Sequence, residues 1–294
     1  MDSPKLIVIL GQTAAGKTKM AIGLAKKFNG EIISADSRQV YKEMEIGVSK
    51  PTKKERENIP HHLIGIVKPD QEFNVALYKE IAIKKIKEVN KRQKLPFLVG
   101  GTGLYISSII NNLYFPKVTP DKKLRKKLES KTKKELLSIY KKTDPEGYNF
   151  IEKGNKRRLI RAIEVCKKTK NSFWKQREKG KEMFDILKIG IKKNNLKKII
   201  EKRTEKMIKQ GLEKEAKELI GKYGNIQSLN TIGYKEWKEY LKGEITKIKV
   251  KELINLHTLQ FAKRQMTWFK KEKDICWIKE KREAIKLISE FIKN

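Results

Sequence analysis

The segment Gly11-Gln-Thr-Ala-Ala-Gly-Lys-Thr18 constrains this chain more than any other stretch. It matches G-x-x-x-x-G-K-[ST] in the context that motif requires. Before it lies an apolar run, Leu6-Ile-Val-Ile-Leu10, that reads as a buried strand. After it, Met20, Ala21, Leu24, Ala25 and Phe28 carry helical spacing over Thr18 to Phe28. Gly11 and Gly16 let the backbone curl so that its amides, across Gln12, Thr13, Ala14 and Ala15, converge on phosphate oxygens. The helix N-terminus adds positive potential. Lys17 supplies a point charge, and Thr18 offers a hydroxyl to Mg²⁺. The loop identifies a phosphate compound without saying which, because a pyrophosphate ester and a nucleotide tail present the same oxygens.

Strand-like and helical segments alternate downstream. Glu31 to Ala35 ends at Asp36, and Leu95 to Val99 ends at Gly100-Gly-Thr-Gly103, with a helical stretch over Asn74 to Arg92 between them. This predicts an α/β fold of the P-loop type, a mostly parallel sheet flanked by helices. From residue 119 the pattern changes to lysine-rich helical segments, Pro120 to Lys133, Lys134 to Lys142 and Asn155 to Lys168. We therefore expect a core over 1–118, an inserted all-helical lobe over 119–182, and a return to the core over 183–294. The return comprises a strand at Phe184 to Ile191 and helices over Leu196 to Lys222, Lys235 to Leu241 and Lys249 to Lys271.

Composition narrows the partners. Seventy Lys and Arg against 35 Asp and Glu give +35, a field that concentrates polyanions, although lysine is abundant throughout and part of the excess reads as compositional background. No apolar run approaches the ~20 residues of a membrane span, and the Met1-Asp2-Ser3-Pro4-Lys5 start lacks a secretory signal's pattern, so a cytoplasmic, membrane-free protein is expected. Cys166 and Cys276 fit neither a disulfide framework nor a zinc site. His61, His62 and His257 form no metal-spacing cluster.

Further blocks occur in order along nearly the whole chain: Asp36-Ser-Arg-Gln-Val-Tyr41, Ile46-Gly47, Lys50-Pro51, Pro60-His-His-Leu63 and Gly100-Gly-Thr-Gly-Leu-Tyr105. Later come Arg157-Arg-Leu-Ile-Arg-Ala-Ile-Glu164, Gly211-Leu212, Thr231-Ile-Gly-Tyr-Lys235 and Gln260-Phe-Ala-Lys-Arg-Gln-Met-Thr-Trp268. Together with the loop, these resemble the tRNA dimethylallyltransferase (isopentenyl-pyrophosphate transferase) family. The resemblance implies transfer of a dimethylallyl group from dimethylallyl diphosphate to N6 of the adenine 3′ of the tRNA anticodon, releasing diphosphate, with Mg²⁺; a monomer is expected only by default. Two positions depart from the family pattern: Gln12 stands where Pro is common, and Leu259 where an Arg is expected.

For the chemistry, an adenine amine is a poor nucleophile, and a positioned base helps by taking its proton. Asp36, at the C-terminal end of a strand, is the candidate base; the same position in an ordinary P-loop NTPase holds Mg²⁺. Lys17 would stabilise the leaving diphosphate, with Lys235 as a further donor contact unless it is a solvated surface charge. The resemblance carries acceptor or tRNA contact onto Asp36, Ser37, Arg38, Gln39, Thr102, Arg125, Arg157, Arg158 and Arg161. Read alone, the polar residues among these suit turn caps, and the arginines suit the solvated face of an amphipathic helix. A nucleotide or small-metabolite kinase would use the same loop for ATP, and a non-catalytic RNA-binding protein would use it as a switch.

Overall fold

The computed structural model describes residues 3–176 and 180–293. Met1 and Asp2 of the N-terminal segment, Arg177, Glu178 and Lys179 of the expected lobe, and Asn294 lie outside the described residues. The first apolar run forms β1 (Lys5–Gly11), and the helix behind the loop is α1 (Lys17–Lys27). Then come β2 (Gly30–Ala35), β3 (His61–His62), α2 (Val75–Lys91), β4 (Leu95–Gly100) and α3 (Gly103–Ile110). The lysine-rich segment carries α4 (Lys122–Glu129), α5 (Lys133–Thr143) and α6 (Lys156–Thr169). The remainder is β5 (Asp185–Ile191), α7 (Leu196–Lys209), α8 (Leu212–Tyr223), α9 (Trp237–Leu241), α10 (Lys247–Phe269), β6 (Ile275–Ile278) and α11 (Lys281–Lys293).

The described strands form one sheet in the order β3-β2-β4-β1-β5-β6, with every pairing parallel. Parallel neighbours need crossover connections, which place helices on the sheet faces and explain why β1 is apolar on both sides. Leu6, Val8 and Leu10 pack into a core with Tyr78, Ile106 and Ile254, while Ile7 and Ile9 pack into a second core with Leu24, Ala284 and Ile288. Successive side chains of one strand thus anchor both layers.

Several elements differ from the sequence reading. Leu196 to Lys222 is two helices, because Gly211 takes φ 98° between α7 and α8, a conformation that side-chain-bearing residues resist. Helix α3 follows the glycine turn unforeseen: it is buried from Tyr105 to Ile110 and so shows no polar face to reveal its period. Strand β6 is too short to read, and it exists by pairing with β5. It leads into the unforeseen α11.

The chain divides into two compact units, Met1–Ile110 with Met183–Asn294, and Asn111–Glu182. The second begins ahead of residue 119 because residues 114–121 have no regular structure and lack the lysine-rich signature. Its core packs Leu128, Leu136, Tyr140, Leu159 and Ile163. Thr132 and Glu135 form a capping box at the start of α5, and Asn155 caps α6. At its centre the fully buried Glu164 accepts from Arg125 Nε and Nη2 at 2.9 and 2.8 Å, from the Asp121 amide at 2.7 Å and from Arg161 Nη1 at 2.5 Å. Burial alone would raise the Glu164 pKa, but these donors outweigh it and hold the carboxyl below its ordinary value.

A depressed carboxylate pKa contributes stability above the unfolded-state value of about 4.3, and the contribution is lost as pH falls through and below that value. Glu164→Gln is expected to destabilise this unit at neutral pH by about 2 kcal/mol, the worth of a charged hydrogen bond lost in a buried site. Hydrogen exchange of the α6 amides under increasing urea measures it. The gap between variant and wild type should shrink below about pH 4.

Candidate functional site

In a parallel sheet the C-terminal ends of all strands share one edge, where open α/β folds place their ligands. Here β4 lies between β1 and β2, so the phosphate loop, the Asp36 segment and the Gly100–Gly103 turn emerge side by side. They border a cavity of about 470 Å³ that contains Thr13, Asp36, Ser37, Arg38, Thr102 and Lys235 in its walls.

The phosphate loop is shaped by its backbone. Ala14 and Gly16 take φ 62° and 88°, and no acidic side chain occupies the first turn of α1 to neutralise the helix terminus. Lys17 Nζ donates to the Gly11 and Gln12 carbonyls at 3.0 and 2.6 Å. Desolvation of its ammonium, opposed by the charge of Asp36 and reinforced by that of Arg203, lowers its pKa to about 8. Thr18 is exposed at the start of α1 and, like the rest of the loop except Thr13, stands outside the cavity wall.

Asp36 closes a local turn. Its Oδ1 accepts from the Arg38 and Gln39 amides at 2.8 and 3.3 Å, which engages one carboxylate oxygen and leaves the other for a ligand. Thr102 Oγ1 accepts from the Ser37 amide at 3.0 Å, joining the two neighbouring strand ends. Gln39 is off the cavity wall: its Nε2 donates to the Val48 and Ser49 carbonyls and so shapes the loop beside the site. Lys235 Nζ lies 3.8 Å from Glu236 and lines the cavity. The four arginines expected at the tRNA, Arg125, Arg157, Arg158 and Arg161, belong to the other unit. Arg125 and Arg161 clamp Glu164, Arg158 faces Glu152 at 3.4 Å, and Arg157 is exposed at the start of α6.

Three contributors were not assigned to a site from the sequence. Arg203, on α7, donates from Nη1 to Thr13 Oγ1 at 3.1 Å, while its buried Nε has no hydrogen-bond partner. Burial pushes its pKa down, against the pull of Asp36. Gln265, on α10, accepts from the Thr13 amide at 2.7 Å and donates to the Gly101 carbonyl at 2.8 Å. Glu215, on α8, accepts from the Ile46 and Gly47 amides and the Tyr234 hydroxyl, fixing the two segments that carry Val48 and Lys235 into the wall. Met207, Ile254, Phe261 and Trp268 supply an apolar side to the same cavity. Gly101 and Gly103 leave room for α10, since a Cβ on either would run into the Gln265 amide or the Trp268 ring. Leu259 is half-buried on α10 and does not line the cavity.

The site therefore brings together two desolvated cations and a helix terminus at the loop, the Asp36 carboxylate and an apolar surface. Such a set can hold a polyanionic group, stabilise charge that develops on it and accept a proton beside it. Because an anion favours the charged lysine, binding of inorganic pyrophosphate above about pH 8 should draw a proton onto Lys17. Calorimetry at pH 8.5 in buffers of different ionisation enthalpy should show this uptake. Lys17→Met should abolish it, and equal heats in all buffers would contradict the assignment.

Comparison with known proteins gives consistent matches. The family model described as IPP transferase matches residues 39–272. A tRNA dimethylallyltransferase of Halothermothrix orenii is 43% identical over 287 residues, 94% of this chain and 88% of that protein. The crystal structure of a tRNA delta(2)-isopentenylpyrophosphate transferase from Staphylococcus epidermidis is 38% identical, covers 99% of both chains and superposes with a TM-score of 0.72. That of a eukaryotic dimethylallyltransferase acting on tRNA is 29% identical, covers 99% of this chain and 80% of its own, and superposes with a TM-score of 0.87.

Proposed function

This chain belongs to the IPP transferase family, and from that premise we propose that it transfers a dimethylallyl group from dimethylallyl diphosphate to N6 of the adenine 3′ of the anticodon in tRNA. The observation that carries the reading is the juxtaposition, in one cavity, of Arg203 and Asp36 with the apolar Met207, Ile254 and Phe261, beside the phosphate loop. Polar and apolar halves match the two halves of a prenyl diphosphate. A kinase reading explains the loop but not the apolar half, and it gives way.

In the reaction the adenine N6 attacks C1 of the dimethylallyl group. The C1–O bond breaks, diphosphate leaves with the electron pair, and the N6 proton passes to the Asp36 carboxylate. Arg203, Lys17 and the loop amides meet the charge that grows on the leaving oxygens. Asp36 is suited to the base role because two backbone amides fix its orientation through a single oxygen. Thr18, exposed at the loop's end, offers the hydroxyl that would hold Mg²⁺, an ion that needs few protein ligands. When bound, Mg²⁺ neutralises part of the diphosphate charge.

Thr102, Ser37 and Arg38 face the acceptor adenine, which must leave its stack to enter a recessed cavity. Arg157 and Arg158, with the lysines of α4 and α6, meet tRNA phosphates, and the partly exposed Arg125 and Arg161 guanidinium groups contribute from the Glu164 clamp. No helix of the described residues is long and apolar enough to cross a membrane.

The test is incubation with dimethylallyl diphosphate, Mg²⁺ and an anticodon stem-loop, followed by nucleoside mass spectrometry. One adenine should gain a dimethylallyl mass, and its absence with RNA binding intact would reject this donor. Asp36→Asn should slow transfer by about 10²–10⁴, the range of general-base catalysis, with RNA affinity retained. Full activity in that variant would remove Asp36 from the base role.

A further inference from the structure

A chain of hydrogen bonds links the two sides of the cavity. Arg203 Nη1 donates to Thr13 Oγ1, the Thr13 amide donates to Gln265 Oε1, and Gln265 Nε2 donates to the Gly101 carbonyl. The next residue of that turn, Thr102, accepts from the amide of Ser37, the neighbour of Asp36. Gln265 is the only side chain in the series that joins the phosphate loop to the Gly100–Gly103 turn, among the described residues. It is buried, with 4% of its surface exposed, and its amide makes one bond as acceptor and one as donor. Among side chains of its length, a carboxylate offers no donor and an ammonium no acceptor.

Resting on the transferase reading, we propose that Gln265 is a positioning residue that sets the separation between the leaving diphosphate and the Asp36 carboxylate. The two groups act on opposite sides of the transferring carbon's bond exchange, one receiving electrons and the other a proton. A displacement on the order of 1 Å between such partners costs about a hundredfold in rate. Binding of either substrate alone is spared, since each half of the site keeps its own contacts. Helix α10 also has anchors that do not involve this amide: Trp268 Nε1 donates to Ser107 Oγ at 3.0 Å, His257 Nδ1 pairs with Glu236 at 2.7 Å, and Phe269 is buried. Removing the amide function therefore leaves the helix docked.

Two variants break the same bond from opposite elements. Gln265→Met keeps the length and loses both hydrogen bonds. Gly101→Ala leaves Gln265 untouched but places a Cβ on its amide nitrogen, at a backbone conformation that alanine adopts. Single-turnover transfer and equilibrium binding of dimethylallyl diphosphate and of the stem-loop are measured for wild type, both single variants and the double variant. The expected result is a rate lower by about 10- to 100-fold in each single variant, dissociation constants for both substrates within about threefold, and a double variant no slower than the worse single one. Gln265→Glu, which retains the acceptor toward Thr13 but not the donor toward Gly101, should fall with the slow variants. Losses that multiply in the double variant, a defect confined to the affinity of one substrate, or wild-type rates would each overturn the proposal. Absence of transfer by the wild-type protein would instead overturn the transferase reading, so the two failures are distinguishable.

Discussion

Parallel pairing of β1 with β4, and of β4 with β2, is the constraint on which the rest of this structure depends. Hydrogen-bonding these strands in one direction delivers three loops to one rim with spacing fixed by the sheet. Each loop carries a different feature: the G-x-x-x-x-G-K-[ST] motif, the glycine turn and the Asp36 carboxylate. The middle turn must be narrow, because α10 crosses it closely enough that its glycines face the Gln265 amide and the Trp268 ring. The apolar cavity side then follows from α7 and α10 packing over the sheet face that holds Leu6, Val8 and Leu10.

Desolvated charge is treated in opposite ways in the two units. Glu164 in the helical unit is surrounded by donors, and its burial is offset within the protein. In the sheet unit, Lys17 donates only to carbonyls and Arg203 keeps a buried Nε without a partner, so part of their desolvation is not offset. A polyanionic ligand, as proposed, would supply the missing interaction. The same physics thus suits one cluster to a structural centre and the other to the proposed binding of an anion. Asp36 tempers the cations without forming a salt bridge that would occupy its carboxylate.

Arginine usage carries a related message. Only eleven of the 70 basic side chains are arginine in a chain that otherwise favours lysine. Arg38, Arg203 and Arg264 line the cavity, and Arg125 and Arg161 grip Glu164. A planar fork with several donors is what these places require, and a lysine point charge does not replace it. Scarcity alone does not single out Arg203, since Arg56, Arg92 and Arg282 share it and do not line the cavity.

The sequence by itself determined the phosphate loop, the alternating α/β order and Asp36 at a strand end, because each is written in residues adjacent along the chain. It also carried the family blocks, and the family model and the relatives match along most of the chain. It did not disclose α3, whose buried faces erase its period, nor β6, which is a strand only by virtue of its partner. Arg203 and Gln265 reach Thr13 from 190 and 252 residues away, and nothing local to either specifies that meeting. Those contacts were decided by the tertiary structure alone, since they arise where helices packed on the sheet bring their polar side chains to the strand ends.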